Sequence, residues 1–230
     1  MSRLPDLLHM IYPRVCCGCG HTLYRHEEAV CNQCYVSLPR TGYHLQPDNP
    51  VQKIFDGRAR VGQAASFLLF QKKGSVQRML HALKYRAKPE VGRLLGKWYA
   101  QELLKSGAFK HCEVIVPVPL HARRLRKRGY NQSEHIARGL AAELGIPVLA
   151  DVLHKKHFTE TQTFKSREER WQNTLRSFEI KNDELIRGKN ILLVDDVITT
   201  GATTEACIFQ LNSAGHQNIS VASIAYTLQA

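Results

Sequence analysis

The residues best suited to chemistry form an apolar strand that ends in two carboxylates, followed by a turn of small residues. The segment reads Ile191-Leu192-Leu193-Val194-Asp195-Asp196-Val197-Ile198-Thr199-Thr200-Gly201-Ala202-Thr203. Backbone N–H groups over 199–203, at the start of a helix, would surround a phosphate, and Gly201 would permit its close approach. At least one of Asp195 and Asp196 would accept hydrogen bonds from vicinal hydroxyls or support a magnesium ion on a pyrophosphate.

This segment predicts a site for a ribose 5-phosphate. The residues predicted to contact the ligand are Asp195, Asp196, Thr199, Thr200, Gly201, Ala202 and Thr203. The alternative is an acidic pair that only caps the following helix.

A second candidate site is built from cysteines. Cys16, Cys19, Cys31 and Cys34 form two C-x-x-C pairs with eleven residues between them. Two turns with this spacing can present four thiolates to one tetrahedral ion, and a closed shell of four sulfurs predicts structural zinc. Cys17 competes for the first pair, and we assign Cys16 and Cys19. Two disulfides, or thiols without a metal, are the alternatives. We expect the remaining two cysteines, Cys112 and Cys207, to be buried apolar residues.

A third candidate is a run of positive charge, in which five of the six positions from 123 to 128 are basic. The run would contact the phosphates of a single strand, and the neighbouring tyrosine would stack on a base. The residues predicted to bind nucleic acid are Arg123, Arg124, Arg126, Lys127, Arg128 and Tyr130. A plain solvated surface is the alternative.

The order of predicted elements indicates what positions these residues. Apolar patterns predict strands over 64–70, 114–118, 148–153, 191–194 and 219–226. Helical patterns lie between them, with two helices, or one broken near Pro89, after the first strand. Strands that alternate with helices predict an α/β fold, a mainly parallel sheet with helices on both faces.

The first part of the chain differs from the rest. Residues 13–40 are too poor in aliphatic periodicity to form a core without a cross-link or metal, and 41–57 reads as an irregular connection. We therefore predict a zinc-binding module with its linker over 1–57 and an α/β domain over 58–230.

Length and charge limit the classes of protein. The 230 residues, 43% of them hydrophobic, suffice for one ordinary core and an appendage. Lys and Arg outnumber Asp and Glu by 32 to 20, a net charge of +12. This balance favours a polyanionic partner, although many proteins are basic without one. Charged residues interrupt every apolar run and no signal-peptide cleavage site follows the first residues, so we expect a cytoplasmic protein without a membrane span.

The segment 191–203 resembles the signature of the type I phosphoribosyltransferases, a hydrophobic strand followed by an acidic pair and T-T-G-x-T. The resemblance implies that Asp195 and Asp196 hold the ribose hydroxyls of phosphoribosyl pyrophosphate. It also implies that the loop 199–203 holds the 5-phosphate and that Mg²⁺ accompanies the ligand.

A wider resemblance, to the ComF family, covers nearly the whole chain. It is carried by 16–34, by H-A-L-K-Y over 81–85, V-P-V-P-L over 116–120 and R-G-Y-N-Q over 128–132, and by Gln162, Arg170 and Asn173. It implies a type I phosphoribosyltransferase-like domain behind an N-terminal zinc finger, and a role in natural competence, DNA uptake or the use of DNA as a nutrient.

This resemblance also implies two further loops. The place of the pyrophosphate loop falls at 114–120, with Pro117, Val118 and Pro119. The place of the mobile catalytic loop falls at 155–178, with Lys155, Lys156, Lys165, Arg167 and Arg170. Lys155 and Lys156 depart from the pattern, in which an arginine is expected.

Two functions of different classes follow. The first is a phosphoribosyl pyrophosphate-binding protein that handles single-stranded DNA, with a DNA-uptake helicase as a partner. The second is a phosphoribosyltransferase acting on an unidentified acceptor. Spacing alone nominates no general base, and the fold does not choose between them.

Overall fold

The computed structural model describes residues 13–156 and 177–228. Its strands are β1 (Ala64–Leu69), β2 (Val114–Pro117), β3 (Leu153–Lys155), β4 (Phe178–Ile180), β5 (Asn190–Ile198) and β6 (Asn218–Tyr226). The main sheet has the order β1-β6-β5-β2, and every neighbouring pair is parallel. Strands β3 and β4 form a separate antiparallel ribbon.

The helices cover both faces of the main sheet. They are α1 (Asn32–Val36), α2 (Pro50–Lys53), α3 (Ser75–Tyr85), α4 (Pro89–Ser106), α5 (Ala122–Arg128), α6 (Gln132–Leu144) and α7 (Ala202–Leu211). Pro89 begins α4, where its missing N–H and fixed φ are tolerated, so two separate helices follow β1. None of the described helices is long and apolar enough to cross a bilayer.

Strand β5 shows why the sheet is buried on both sides. Leu192 and Val194 pack with α4 and α6 on one face, whereas Ile191 and Leu193 pack with α7 and the β3–β4 ribbon on the other. All four side chains are buried. The run is continuously apolar because a parallel sheet is covered on both faces. The predicted α/β fold, a mainly parallel sheet flanked by helices, is confirmed.

The cysteine-rich segment packs against the same core. Leu69 donates its N–H to the carbonyl of Pro39 at 2.9 Å, and Thr41 donates to the carbonyl of Phe67 at 3.0 Å. The chain after the cysteines therefore runs antiparallel along β1 and covers that edge of the sheet. Tyr35 of α1 packs on Trp98 of α4, with their ring centroids 4.6 Å apart.

Two expectations about the elements are wrong. The segment 148–153 is not a strand: Val148 forms one bridge to Ile115, and the strand begins at Leu153, in the ribbon. The segment 41–57 is not simply irregular, because it contains α2 and a 3₁₀ turn over Tyr43–Leu45. Asn49 caps α2 and also donates to the carbonyl of Ala64 at 2.9 Å, which fixes this segment against β1. The division of the chain at 57/58 stays a prediction.

Candidate functional site

The acidic pair lies within the last part of β5, between β6 and β2. The predicted end of this strand at 194 is wrong, because the strand continues through both carboxylates to Ile198. Both carboxylates are buried, Asp195 at 8% exposure and Asp196 at 5%. One oxygen of Asp195, Oδ1, accepts a hydrogen bond from Ser133 Oγ at 3.1 Å and another from the N–H of Asp196 at 2.8 Å. Ser133 belongs to the first turn of α6, so this helix helps to orient the first carboxylate.

Asp196 faces a lysine that sequence reasoning did not select. Lys84 Nζ, at the end of α3, lies 2.9 Å from Asp196 Oδ1. The other oxygen, Oδ2, is buried and has no hydrogen-bond partner among the described residues. A buried acceptor without a partner is costly, and a ligand hydroxyl or a cation would relieve that cost.

Burial also changes the proton affinity of the pair. Burial and the neighbouring Asp196 raise the pKa of Asp195 to about 7, although the N–H of Asp196, Lys84 and the Ser133 hydroxyl oppose the rise. Two carboxylates this close and this buried do not ionise independently. The pair therefore keeps a proton to a higher pH than an isolated aspartate does.

The threonine-rich loop follows directly. Asp195 and residues 197–204 line a small cavity, and α7 begins at Ala202. Gly201 has φ +74°, and a Cβ placed there would lie 2.5 Å from Ile54 Cγ2. The loop thus requires glycine both for its backbone and for its close approach to the segment after α2.

Arg58 fixes the loop from outside. Its guanidinium donates to the carbonyls of Thr200 at 3.0 Å and of Ile54 at 3.2 Å, and it pairs with the buried Glu205 of α7. Arg58 and Glu205 are 147 positions apart, so no spacing in the sequence could have indicated this contact.

The predicted pyrophosphate loop lies beside the same end of β5. Pro117 is in register with Val194, and the N–H of Val118 donates to the carbonyl of Val194 at 2.8 Å. Asn131 caps α6 and donates to the carbonyl of Val118 at 3.0 Å. Pro119 follows, partly buried. The structure therefore brings 117–119 next to the acidic pair.

The predicted mobile loop is described only in part. Lys155 lies in β3, with its ammonium 5.0 Å from the ring centroid of Phe178. Burial lowers the pKa of Lys155, and Arg124 adds to this effect. Lys156 is exposed beside it. Lys165, Arg167 and Arg170, with Gln162 and Asn173, lie outside the described residues.

The basic run forms α5, and part of it lines a pocket. The cavity holds about 370 Å³ and is lined by Lys84, Tyr85, Ala87, Arg124, Lys127 and Arg128. Arg123 and Arg126 are exposed on the same helix. Tyr130 is less accessible than expected: its hydroxyl donates to the carbonyl of Leu83, and its ring lies edge-on to His135 at 5.1 Å. Tyr85, 68% exposed, is the more accessible ring.

The four assigned cysteines converge. Their sulfur atoms all lie within 4.8 Å of one another, whereas Cys17 is not part of the cluster. Burial opposes ionisation of Cys16, but N–H donors from Cys31, Cys19 and Gly18 outweigh it and lower the thiol pKa to about 7. Four converging sulfurs fit a tetrahedral zinc ion. Cys112 and Cys207 are buried apart from this cluster, as predicted.

Comparison with known proteins gives consistent relatives. A family model, the phosphoribosyl transferase domain, matches residues 130–229. The chain is 27% identical to the DNA utilization protein YhgH of Salmonella typhimurium, over 99% of this chain and 96% of that protein. It is 28% identical to competence protein F of Haemophilus influenzae, over 95% and 93% of the two chains.

A third relative, the competence protein ComFC of Bacillus subtilis, is 27% identical over 79% of this chain and 77% of that protein. The resemblance stated from the sequence is confirmed by these relatives together with the domain match.

Proposed function

We propose that this chain, which is similar to the ComF proteins along most of its length, binds phosphoribosyl pyrophosphate or a related ribose phosphate. We further propose that it handles single-stranded DNA during DNA uptake or utilisation. The observation that carries the proposal is the position of Asp195 and Asp196, buried in the last part of β5, which continues to Ile198 and is followed by the loop that opens α7.

The chemistry of this position suits a ribose 5-phosphate. The loop 199–203 supplies backbone and hydroxyl donors at a helix N-terminus, where a phosphate is stabilised. Asp195 lines the same small cavity as the loop, and Asp196 Oδ2 has no partner among the described residues and can accept a hydroxyl. Carboxylate oxygens are also the ligands that Mg²⁺ prefers, so the pair would hold the magnesium that accompanies a pyrophosphate.

The affinity for DNA follows from charge. The net charge is +12, and α5 presents Arg123, Arg124, Arg126 and Lys127 as exposed cations. Exposed cations grouped on one short helix neutralise nearby phosphates and release counterions. The relatives are named for DNA utilization and competence, which is consistent with this partner. A DNA-uptake helicase stays a prediction from the family resemblance.

The ribose phosphate site is tested by calorimetry with phosphoribosyl pyrophosphate and Mg²⁺. The double variant Asp195→Asn, Asp196→Asn should bind at least about tenfold more weakly, because hydrogen bonds to charged groups are each worth about 1.5–3 kcal/mol. Asp151→Asn, at an exposed carboxylate, is the control and should bind like the parent. Circular dichroism checks the fold. Unchanged affinity in the double variant would reject the site.

The DNA interface is tested by salt titration of oligonucleotide binding. Replacing Arg124, Arg126 and Arg128 by Gln should weaken binding to all sequences alike. It should also lower the slope of log affinity against log salt by about two units, at about 0.7 per lost phosphate contact. A control with equal charge loss replaces the exposed Lys53, Lys110 and Lys181. Equal slopes in the two triple variants would reject the interface.

The second candidate is a phosphoribosyltransferase. The observation that favours it is that residues 117–119 lie beside the acidic pair. The pyrophosphate would then contact 117–119 while the 5-phosphate contacts the loop 199–203. In such a reaction the bond from C1 of ribose to pyrophosphate breaks and a bond from C1 to the acceptor forms. Incubation with phosphoribosyl pyrophosphate, Mg²⁺, bases and single-stranded DNA, followed by product analysis, tests it. If the protein binds phosphoribosyl pyrophosphate but releases no pyrophosphate, the transferase is rejected and only the first proposal stands.

A further inference from the structure

The basic pocket beside α5 combines charge with an aromatic ring. Of its six lining residues, four are cationic, one is Tyr85, and none is acidic. Its volume of about 370 Å³ lies within the usual range of small-molecule pockets, about 300–1,000 Å³. The group that matches this lining is a phosphate next to a flat, stackable ring, which is the chemistry of a nucleotide.

Tyr85 is held at the rim of this pocket. Its side chain is 68% exposed, yet neighbouring groups limit its position. Arg128 Cζ lies 5.6 Å from the ring centroid, and the His81 ring lies 4.9 Å away. An exposed ring kept in place by a guanidinium and an imidazole loses little freedom when a base stacks on it.

Lys84 belongs to two sites at once. It lines the basic pocket, and its ammonium lies 2.9 Å from Asp196 Oδ1. The ammonium is only partly exposed, at 23% for the side chain, so its charge is not fully screened by water. A ligand in either site therefore competes for, or releases, the same cation.

We propose that the basic pocket binds one nucleotide of a single strand, with its base on Tyr85, and that Lys84 couples this binding to ribose phosphate binding at Asp196. The inference rests on the proposed function. A strand, and not a free nucleotide, is the proposed occupant because α5 carries two further exposed cations, Arg123 and Arg126, that do not line the pocket and are available to neighbouring phosphates.

The sign of the coupling follows from the ion pair. Without a sugar, Asp196 engages Lys84. When a ribose hydroxyl donates to the unpartnered Oδ2 of Asp196, it stabilises part of the negative charge of the carboxylate. The ion pair at Oδ1 is thereby weakened, and Lys84 becomes available to a phosphate in the pocket. Ribose phosphate therefore tightens strand binding, and by linkage the strand tightens ribose phosphate binding by the same factor.

The experiment measures fluorescence anisotropy of a short labelled oligothymidylate, with and without saturating ribose 5-phosphate. Ribose 5-phosphate is the probe because it has no pyrophosphate to compete for Lys84. In the parent protein it should tighten strand binding about fivefold, at the lower end of ordinary coupling. In Lys84→Gln the factor should fall to one. A parent protein that binds both ligands independently would overturn the coupling.

The pocket itself is tested by Tyr85→Leu, which should weaken strand binding at least about fivefold, the loss of one stacked base. Tyr24→Leu is the matched control, since Tyr24 is 72% exposed but lies in the cysteine module. Equal binding by these two variants would overturn the nucleotide pocket. Thymidine 5′-monophosphate that binds the pocket as tightly as the strand would overturn the choice of a strand.

Two readouts separate this inference from the proposed function. Calorimetry with ribose 5-phosphate alone tests the sugar site: no binding rejects the proposed function and the coupling with it. Binding of ribose 5-phosphate with a negative Tyr85 result overturns only the nucleotide pocket. If Lys84→Gln fails to fold by circular dichroism, the parent linkage and the Tyr85 pair still decide the proposal.

Discussion

Replacement of Gly201 by Ala perturbs the loop at the point where it rests on the segment after α2. Gly201 has φ +74°, and an added Cβ would lie 2.5 Å from Ile54 Cγ2. The left-handed backbone costs an alanine about 1–2 kcal/mol. Overlap with Ile54 adds about 1–3 kcal/mol, the usual cost of overpacking.

Gly145 separates these two contributions. Its φ of +71° is nearly the same, but no atom lies within 4 Å of an added Cβ. Gly145→Ala should therefore cost only about 1–2 kcal/mol of unfolding free energy, measured by urea denaturation. Gly201→Ala should cost more and should also weaken ribose 5-phosphate binding, because relief of the overlap moves the loop. Adding Ile54→Ala should recover part of the excess. Equal destabilisation by the two glycine variants would refute the reasoning.

Three further outcomes follow from the described contacts. Elemental analysis should find about one zinc per chain in the parent and in Cys17→Ser but not in Cys16→Ser. Arg58→Ala should weaken ribose 5-phosphate binding in calorimetry, whereas Arg60→Ala, at an exposed neighbour, should not. The stability in urea of the parent relative to Asp195→Asn should fall as pH rises from about 4 to about 7. The reason is that Asp195, whose pKa is raised to about 7 by burial beside another acid, keeps a proton that the unfolded chain has lost. The comparison cancels the opposite contribution of the histidines whose pKa is lowered by burial, which both proteins share, and an equal pH dependence of the two proteins would contradict the reasoning.

Local signals account for what the sequence could predict. The run 191–203 contains a strand pattern, an acidic pair and a turn in one segment. The C-x-x-C spacing predicted which four cysteines converge. Each of these signals lies within one short segment. The strand over 148–153 was misplaced because a short apolar run fits a bridge and a loop as well as it fits a strand.

Contacts between distant segments carried no such signal. Lys84 meets Asp196 across 112 positions, and Arg58 meets Glu205 across 147. Tyr130 was expected to stack on a base because it follows the basic run, yet folding turns its hydroxyl to Leu83. The accessible ring belongs to another helix, and only the fold brings it beside the charges of α5.

Helix α3 contacts both the cysteine-rich segment and the two candidate ligand sites. Arg78 of α3 donates to the carbonyl of Gly18, inside the first cysteine turn, and to the carbonyl of Lys73 at 2.8 Å. The same helix ends in Lys84 and Tyr85, one on the acidic pair and the other at the rim of the basic pocket. Because one helix makes both contacts, we expect a change in the cysteine turn to shift the ammonium of Lys84 relative to Asp196.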